Sequence, residues 1–484
     1  MSITSRPVFV IRSVARAATL LLAAFALAST SLVAEPSALD ALAAPADRWP
    51  SFRGANASGV ADAALPTVVD RAKGVNVRFD IATPGLGLGA PVVWGDKLFL
   101  TTAVSTTEDA DGPQALKVGL YGGIMPAPDY KQTYRWQVLC FDAKTGALRW
   151  TQTAHEGVPA VKRHTKASYA NSTPAVDDQR LVVFFGSQGL YAYDHDGKKL
   201  WSRNFGVLDS GFFAVPKAQW GFASSPVLHD DKVIIQVDVQ GDSFLAMLDA
   251  ATGETIWRTP REEVPTWSTP TVITHGDAPQ IVVNGWQEIA GYTLADGKRL
   301  WTLPGGGDVP VPTPVAAPAA GVTFLTNAHG PGKPLYAVRP DGTLAWELKR
   351  KGAYMPTPVH DGERLYVLRN NGVFSAFRVT DGEEVYTERV ASDAFMASPV
   401  LAGGRVYIFG EYGDIYIVTA GDDYALETTI ALDEVVLASP AVAHGTLYVR
   451  TQGHLVALAE GFGPEAPAAS DTTTEAADAA SAGR

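Results

Sequence analysis

Eight Ser/Thr/Ala-Pro steps, each opening a short run rich in Val, Ile and Leu, limit what this chain can fold into; their prolines are Pro91, Pro174, Pro226, Pro270, Pro314, Pro358, Pro399 and Pro440. Successive steps lie 83, 52, 44, 44, 44, 41 and 41 residues apart. All but the first fall near the roughly 40–45-residue period of four-stranded propeller blades. Every unit has the same order: step proline, strand, Gly/Asp turn, second strand, polar-Gly turn, third strand, Asp-Gly turn, and a last strand ending in an aromatic. Three turns and four strands make one blade. The chain therefore reads as all-β, an eight-bladed β-propeller of four-stranded antiparallel blades.

The closing turns are clearest at Asp142-Ala143-Lys144-Thr145-Gly146, before Trp150, and at Asp249-Ala250-Ala251-Thr252-Gly253, before Trp257. Shorter versions precede Trp201, Trp301 and Trp346, and Tyr386 takes the Trp position in the sixth unit. In such turns the Gly supplies positive φ and the Asp oxygen holds the turn amides, while the aromatic is expected to pack across the neighbouring blade. The eighth unit, Ser439 through Leu458, has only three strands. Residues 75–79 stand before the first step proline, where other blades have their outer strand, with Phe79 in the Trp position. This N-terminal strand is expected to close the ring and leave no free edge.

Outside the repeats, Arg6, Arg12 and Arg16 precede an apolar stretch and then small residues. That order predicts a secretory signal over residues 1–34, with cleavage after Ala34 or as late as Ala43. The apolar run is too short to span a membrane, and no cysteine lies nearby to accept a lipid, so a periplasmic or secreted, monomeric protein is expected. One propeller occupies residues 49–459, and residues 460–484 read as a disordered acidic tail. The net charge of −12 argues against non-specific nucleic-acid binding. Cys140 is the single cysteine; it excludes an intramolecular disulfide and reads as a buried core thiol.

The 83-residue first step comes from an insertion at about residues 101–135, between the second and third strands of blade one. It belongs on the face where propellers usually take ligands, as a cap or docking surface. Connections on that face carry Tyr169, Phe222, Trp267, Tyr354 and Phe395 just before step prolines, and polar-Gly pairs that include His329-Gly330, Asn371-Gly372 and Gln452-Gly453. Such a ring either stacks a flat ligand or a sugar, or plugs the top of the core. Lys162, Arg163, His164 and Lys166 add a basic patch able to receive an anionic group. The candidate binding residues are Trp220, Trp267, Arg261, Arg163, His164, Tyr354, Phe395, Asn371 and Gln452. Arg261 sits in Pro260-Arg261-Glu262-Glu263 and is expected to be an exposed local ion pair whose loss leaves stability almost unchanged. Glu108, Asp109 and Asp111 offer calcium-type oxygens without a full ligand loop. Three histidines, His229, His360 and His444, recur at equivalent turn positions and do not read as metal ligands. No nucleophile motif is present.

With its Asp-x-x-Thr-Gly-x-x-x-Trp segments, the repeat resembles the pyrroloquinoline-quinone-like propeller superfamily over residues 49–459. That superfamily includes quinoprotein alcohol dehydrogenases, the propeller lipoprotein of the outer-membrane assembly machine, and secreted bacterial propellers of undefined activity. The segment Trp49-Pro50-Ser51-Phe52-Arg53-Gly54 and the run from Ser168 to Pro174 look most like the last group. The resemblance implies either a ligand- or protein-binding scaffold, with a small molecule or an envelope protein as partner, or a quinone-dependent oxidoreductase. In the latter, pyrroloquinoline quinone and calcium would sit on the axis, Trp267 or Trp220 beneath the quinone and Arg261 or Arg163 on a quinone carboxylate. Two features depart from the dehydrogenases: the paired cysteines and the Cys-x-x-Cys-His haem site are both absent. A third reading, carbohydrate binding or cleavage, rests on the aromatic ring and on carboxylates such as Glu411.

Overall fold

The computed structural model describes residues 45–463 and residue 43, apart from residues 108–115, 121–122, 125, 129–130, 216 and 276–277. The expected signal, the Asp109/Asp111 group and most of the acidic tail lie outside the described residues. Eight separate sheets follow one another in chain order, each built on four antiparallel strands. Regular helix is confined, among the described residues, to three short 3-10 turns. The chain is an eight-bladed propeller of the all-β class.

The closing turns show why each blade stops where it does. Asp249 Oδ1 accepts the amides of Ala251 and Thr252 at 3.0 and 2.9 Å and the Thr252 hydroxyl at 3.1 Å, and Gly253 then takes φ +69. The glycine is needed a second time, because a Cβ there would stand 2.6 Å from the Trp201 indole of the preceding blade. The same relation joins Trp150 to Gly197, Trp257 to Gly297, Trp301 to Gly342 and Trp346 to Gly382. Four of these indoles also donate Nε1–H to a carbonyl of the next blade, at His195, Ala250, Leu294 and Val379. The closing-strand tryptophans are thus inter-blade rivets. Gly253→Ala is expected to cost about 2–4 kcal/mol, from left-handed strain and overpacking together, while Thr252→Ser keeps its hydroxyl and stays within about 0.5 kcal/mol. Equal shifts in the chemical-denaturation midpoint would refute this account of the turn.

Ring closure follows the same rule. Val77–Ala82 pairs antiparallel with His454–Leu458, from Val77 opposite Leu458 to Ala82 opposite His454, and completes blade eight. The strand is shifted toward the C-terminal side of residues 75–79. Asn76 instead ties the two chain ends together, donating its amide to Phe462 O at 2.6 Å and accepting from Ala459 N at 3.0 Å. Phe79 lies against Gly146 of blade one as each tryptophan lies against the glycine of its neighbour.

The step residues have a shared task. Seven of the eight residues before a step proline donate their amide to the hydroxyl of their counterpart in the next blade: Ala90 to Thr173, Thr173 to Ser225, Ser225 to Thr269, Thr269 to Thr313, Thr313 to Thr357, Thr357 to Ser398 and Ser398 to Ser439, at 2.9–3.3 Å. This relay runs around the axis and explains the Ser/Thr preference of the repeat. Ala90 carries no hydroxyl, so the relay is open between blades eight and one.

The axis is closed by the segment that precedes blade one. Arg48–Trp49 adds to the inner strand of blade one and Val60–Ala61 adds, parallel, to that of blade seven. Between them Arg53, 2 % exposed, spends all five guanidinium hydrogens on carbonyls: Nε on Ala57, Nη1 on Thr357 and Pro399, Nη2 on Ser58 and Pro358. Among the described residues no carboxylate is paired with it, and burial lowers its pKa to about 9. This arginine pins the segment across blades six and seven, with Phe52 toward the site described next.

Candidate functional site

A cavity of about 680 Å³ lies on the axis, with Phe52 and step-residue hydroxyls such as Thr173, Ser225 and Thr269 in its wall. The described part of the insertion reaches across it. Gly119 N donates to Glu411 Oε2 at 2.7 Å, Leu116 N to Gln452 Oε1 at 3.3 Å and Ala127 N to Arg163 O at 2.8 Å. His164 Nε2 donates to Gly123 O at 2.7 Å and Trp220 Nε1 to Ile124 O at 3.1 Å. The insertion is therefore a cap fastened to blades two, three, seven and eight. It is shorter than 101–135, because the flanking strands Lys97–Ser105 and Tyr134–Asp142 run on into that range.

Of the nine candidate residues, Trp220, Trp267, His164, Tyr354, Phe395 and Asn371 line this cavity. Trp220 and Trp267 stand 5.4 Å apart, tilted by 36°. His164 packs edge-on to Trp220 at 5.6 Å. Burial lowers the His164 pKa, which favours the neutral ring: Nδ1 accepts the Lys166 amide at 3.1 Å while Nε2–H serves the cap. Two members of the aromatic set, Tyr169 and Phe222, pack into blade interiors instead. The ring is divided between site and core.

Three candidates stand elsewhere. Gln452 anchors the cap. Arg163 is buried, its Nη1 on Ala167 O at 2.5 Å and its guanidinium 5.7 Å from the Tyr169 ring. Arg261 overturns the expectation of a surface pair, for its side chain is fully buried. It meets Asp238 at 2.8 and 3.3 Å and the Tyr292 hydroxyl at 3.0 Å, with Glu263 at 3.8 Å and Glu288 at 3.6 Å. Its principal partner comes from the preceding connection, not from the adjacent glutamates. Glu263 accepts the amides of Val264, Gln287 and Glu288; burial and the Asp238 charge still push its pKa up to about 6.

The site also holds groups outside the nine candidates, among them Lys166 of the basic patch, Glu411 of the carbohydrate reading and His329 of a polar-Gly pair. Lys166 Nζ meets Glu411 Oε1 at 2.5 Å and Gly119 O at 2.7 Å, so this ion pair grips both the amide and the carbonyl of one cap glycine. Burial raises the Glu411 pKa against the pull of Lys166. Phe212 stacks on Trp220 at 5.5 Å with 2° between planes and meets His329 at 5.9 Å. His329 Nδ1 is bonded to Asp308, with the Tyr354 ring 4.9 Å away. One signal was available in the sequence: the 52-residue second step is longer than those that follow it, and its connection carries Phe212. Cys140 lies in blade one, where burial raises its thiol pKa to about 12; it is an inert core residue. His360 and His444 bond the carbonyls of Ala316 and Gly95 in neighbouring blades. Among the described residues no three His, Cys, Asp or Glu side chains are placed to share a metal ion.

Eight four-stranded blades around a capped axial cavity define a propeller of the pyrroloquinoline-quinone-like repeat class. Within that class the chain belongs to the family described as outer membrane protein assembly factor BamB, whose profile it matches over residues 122–263 and 285–459. No curated protein matches it in sequence. Among solved structures it is similar to a europium-containing methanol dehydrogenase, at 12% identity and a TM-score of 0.57, covering 86% of this chain and 92% of the other. It is also similar to BamB from Moraxella catarrhalis, at 15% identity and a TM-score of 0.49, covering 75% and 98%. A third is the quinohemoprotein alcohol dehydrogenase from Comamonas testosteroni, at 12% identity and a TM-score of 0.47, covering 88% and 83%. At these identities the likeness is one of fold.

Proposed function

We propose that this protein is an exported binding module whose ligand occupies the capped axial cavity. The observation that carries the reading is the enclosure itself: the Arg53-pinned segment crosses the axis on the Phe52 side, and the cap spans the cavity, fastened at Glu411, Gln452, Arg163, His164 and Trp220. Few convergent polar groups in a largely apolar, preformed cavity are what a small-molecule site requires. Export rests on the basic, apolar, small-residue order of residues 6–34. Among the described residues no helix is long and apolar enough to cross a membrane. Native mass spectrometry of gently isolated protein tests the reading: a bound small-molecule mass is expected, and it is expected to vanish in Trp220→Ala/Trp267→Ala. The same mass for both proteins, equal to that of the bare chain, would refute it.

An envelope protein as partner is the second reading; it has less support, because the apolar Leu120 and Ile124 of the cap, 44 % and 48 % exposed, line the cavity. A quinone-dependent oxidoreductase is supported less well, because the donor set does not suit the quinone–calcium pair. Among the described residues the one carboxylate in the cavity wall, Glu411, is already held by Lys166 and the Gly119 amide, whereas a hard cation in such a site calls for about six to eight oxygens. Arg261, the expected partner for a quinone carboxylate, is sealed in its own ion-pair network.

A further inference from the structure

The polar groups left over in the cavity narrow the class of ligand, on the reading that the cavity is the binding site. Trp220 and Trp267 have both spent their indole donors, on Ile124 O and on Gly221 O at 2.8 Å. Phe212 covers one face of Trp220, so what the pair can offer a ligand is the ring surface still turned to the cavity, whose electron-rich face favours weakly positive C–H hydrogens as well as cations. Deep charge in the cavity is cancelled internally, since Lys166 and Glu411 hold each other. Among the described residues Lys333 is the cation left over in the wall, and it is exposed, so a polyanion would lose its hydration without gaining a buried counter-charge there.

The remaining hydrogen-bonding groups are ring nitrogen and amide, not a buried cation or carboxylate pair. With Nδ1 committed to Asp308, His329 presents Nε2 as its free ring nitrogen. The Asn370 amide and Asn371 Nδ2 also line the cavity and have no protein partner among the described residues. A hydroxyl both donates and accepts, and neighbouring hydroxyls on a ring need such mixed partners. We propose that the cavity takes a neutral sugar, with the C–H face of the ring against Trp220 and Trp267 and its hydroxyls on His329, Asn370 and Asn371. Glu411, tied to Lys166 and the cap, serves as a fastening, so binding without cleavage is the inference.

Titration of the purified protein with a panel of neutral oligosaccharides up to about 10 mM, followed by tryptophan fluorescence, tests it, with pyrroloquinoline quinone as a planar anionic comparison. Saturable binding of at least one sugar is expected, weakened about tenfold or more in Trp267→Ala and in Asn371→Ala. The second variant changes a half-exposed side chain and leaves the aromatic packing in place. Sugar binding unchanged in both variants would overturn the proposal. Quinone binding without sugar binding would overturn the ligand class and leave the cavity as the site. If neither ligand binds and the native protein carries no small-molecule mass, the site and its ligand class both fail.

Discussion

Deleting residues 77–82 is expected to abolish cooperative unfolding, leaving a protein that aggregates or melts far below the parent. The deletion takes away the whole ladder against His454–Leu458 and exposes that strand as an edge. It also removes Phe79 from its seat on Gly146, leaving the Tyr448 hydroxyl on Ala143 O, at 2.8 Å, as an aromatic tie from blade eight to blade one. Phe79→Ala alone is expected to cost about 3–5 kcal/mol. Removal of residues 464–484, which contain no aromatic side chain, is expected to leave the midpoint in place. Denaturant melts of the three variants decide the matter, and a Phe79→Ala midpoint equal to the parent's would show that closure does not depend on this contact.

The second large effect belongs to Arg261. Replacing it by Ala strands Asp238 and Glu263 in the interior without their counter-charge, and a loss of about 3–5 kcal/mol is expected. A thermal midpoint within error of the parent would instead restore the surface-pair expectation. Glu263 supplies a pH signature. Its folded pKa lies at about 6, above the ordinary 4.5, so the folded state binds the proton more tightly than the unfolded one. Its ionisation therefore destabilises the fold fully above about 6, and the penalty is relieved as pH falls toward 4.5. Relative to Glu263→Gln, the parent is expected to gain stability across that interval on acidification; a gain in the opposite direction would contradict the burial argument.

The repeat was legible in the sequence because blade turns need particular residues. Gly253 must have positive φ and no Cβ, Asp249 must cap its turn, and a proline must follow each Ser/Thr of the axial relay. Phe79 could be placed by its spacing for the same reason. Trp267, Tyr354, Phe395 and Asn371 were legible because they sit just before a step proline or in a polar-Gly turn, which sets the end of a blade they reach, whereas His164 was marked only by the basic cluster around it. Arg261 was misread because the two glutamates beside it are local, whereas Asp238 lies 23 residues back and reaches it only after blade three has folded. Lys166 and Glu411 lie 245 residues apart, and His329 meets Asp308 from a different connection. Pairings of this kind depend on how loops from separate blades converge, and no spacing in one chain records that. The plugging role of Arg53 was hidden for the same reason, since its partners are mostly backbone carbonyls of blades six and seven.

The relay of step hydroxyls gives the ring a direction and a unit of account. Blades two to seven each contribute one amide to the blade ahead and one hydroxyl to the blade behind, so at the axis these blades are equivalent. Only Ala90 breaks that interchangeability. It gives without receiving, and it does so at the one junction where successive blades are joined by the two ends of the chain instead of by a connecting loop. Blade one is thereby set apart from the other seven: its step residue reaches forward to Thr173 and offers nothing back to Ser439.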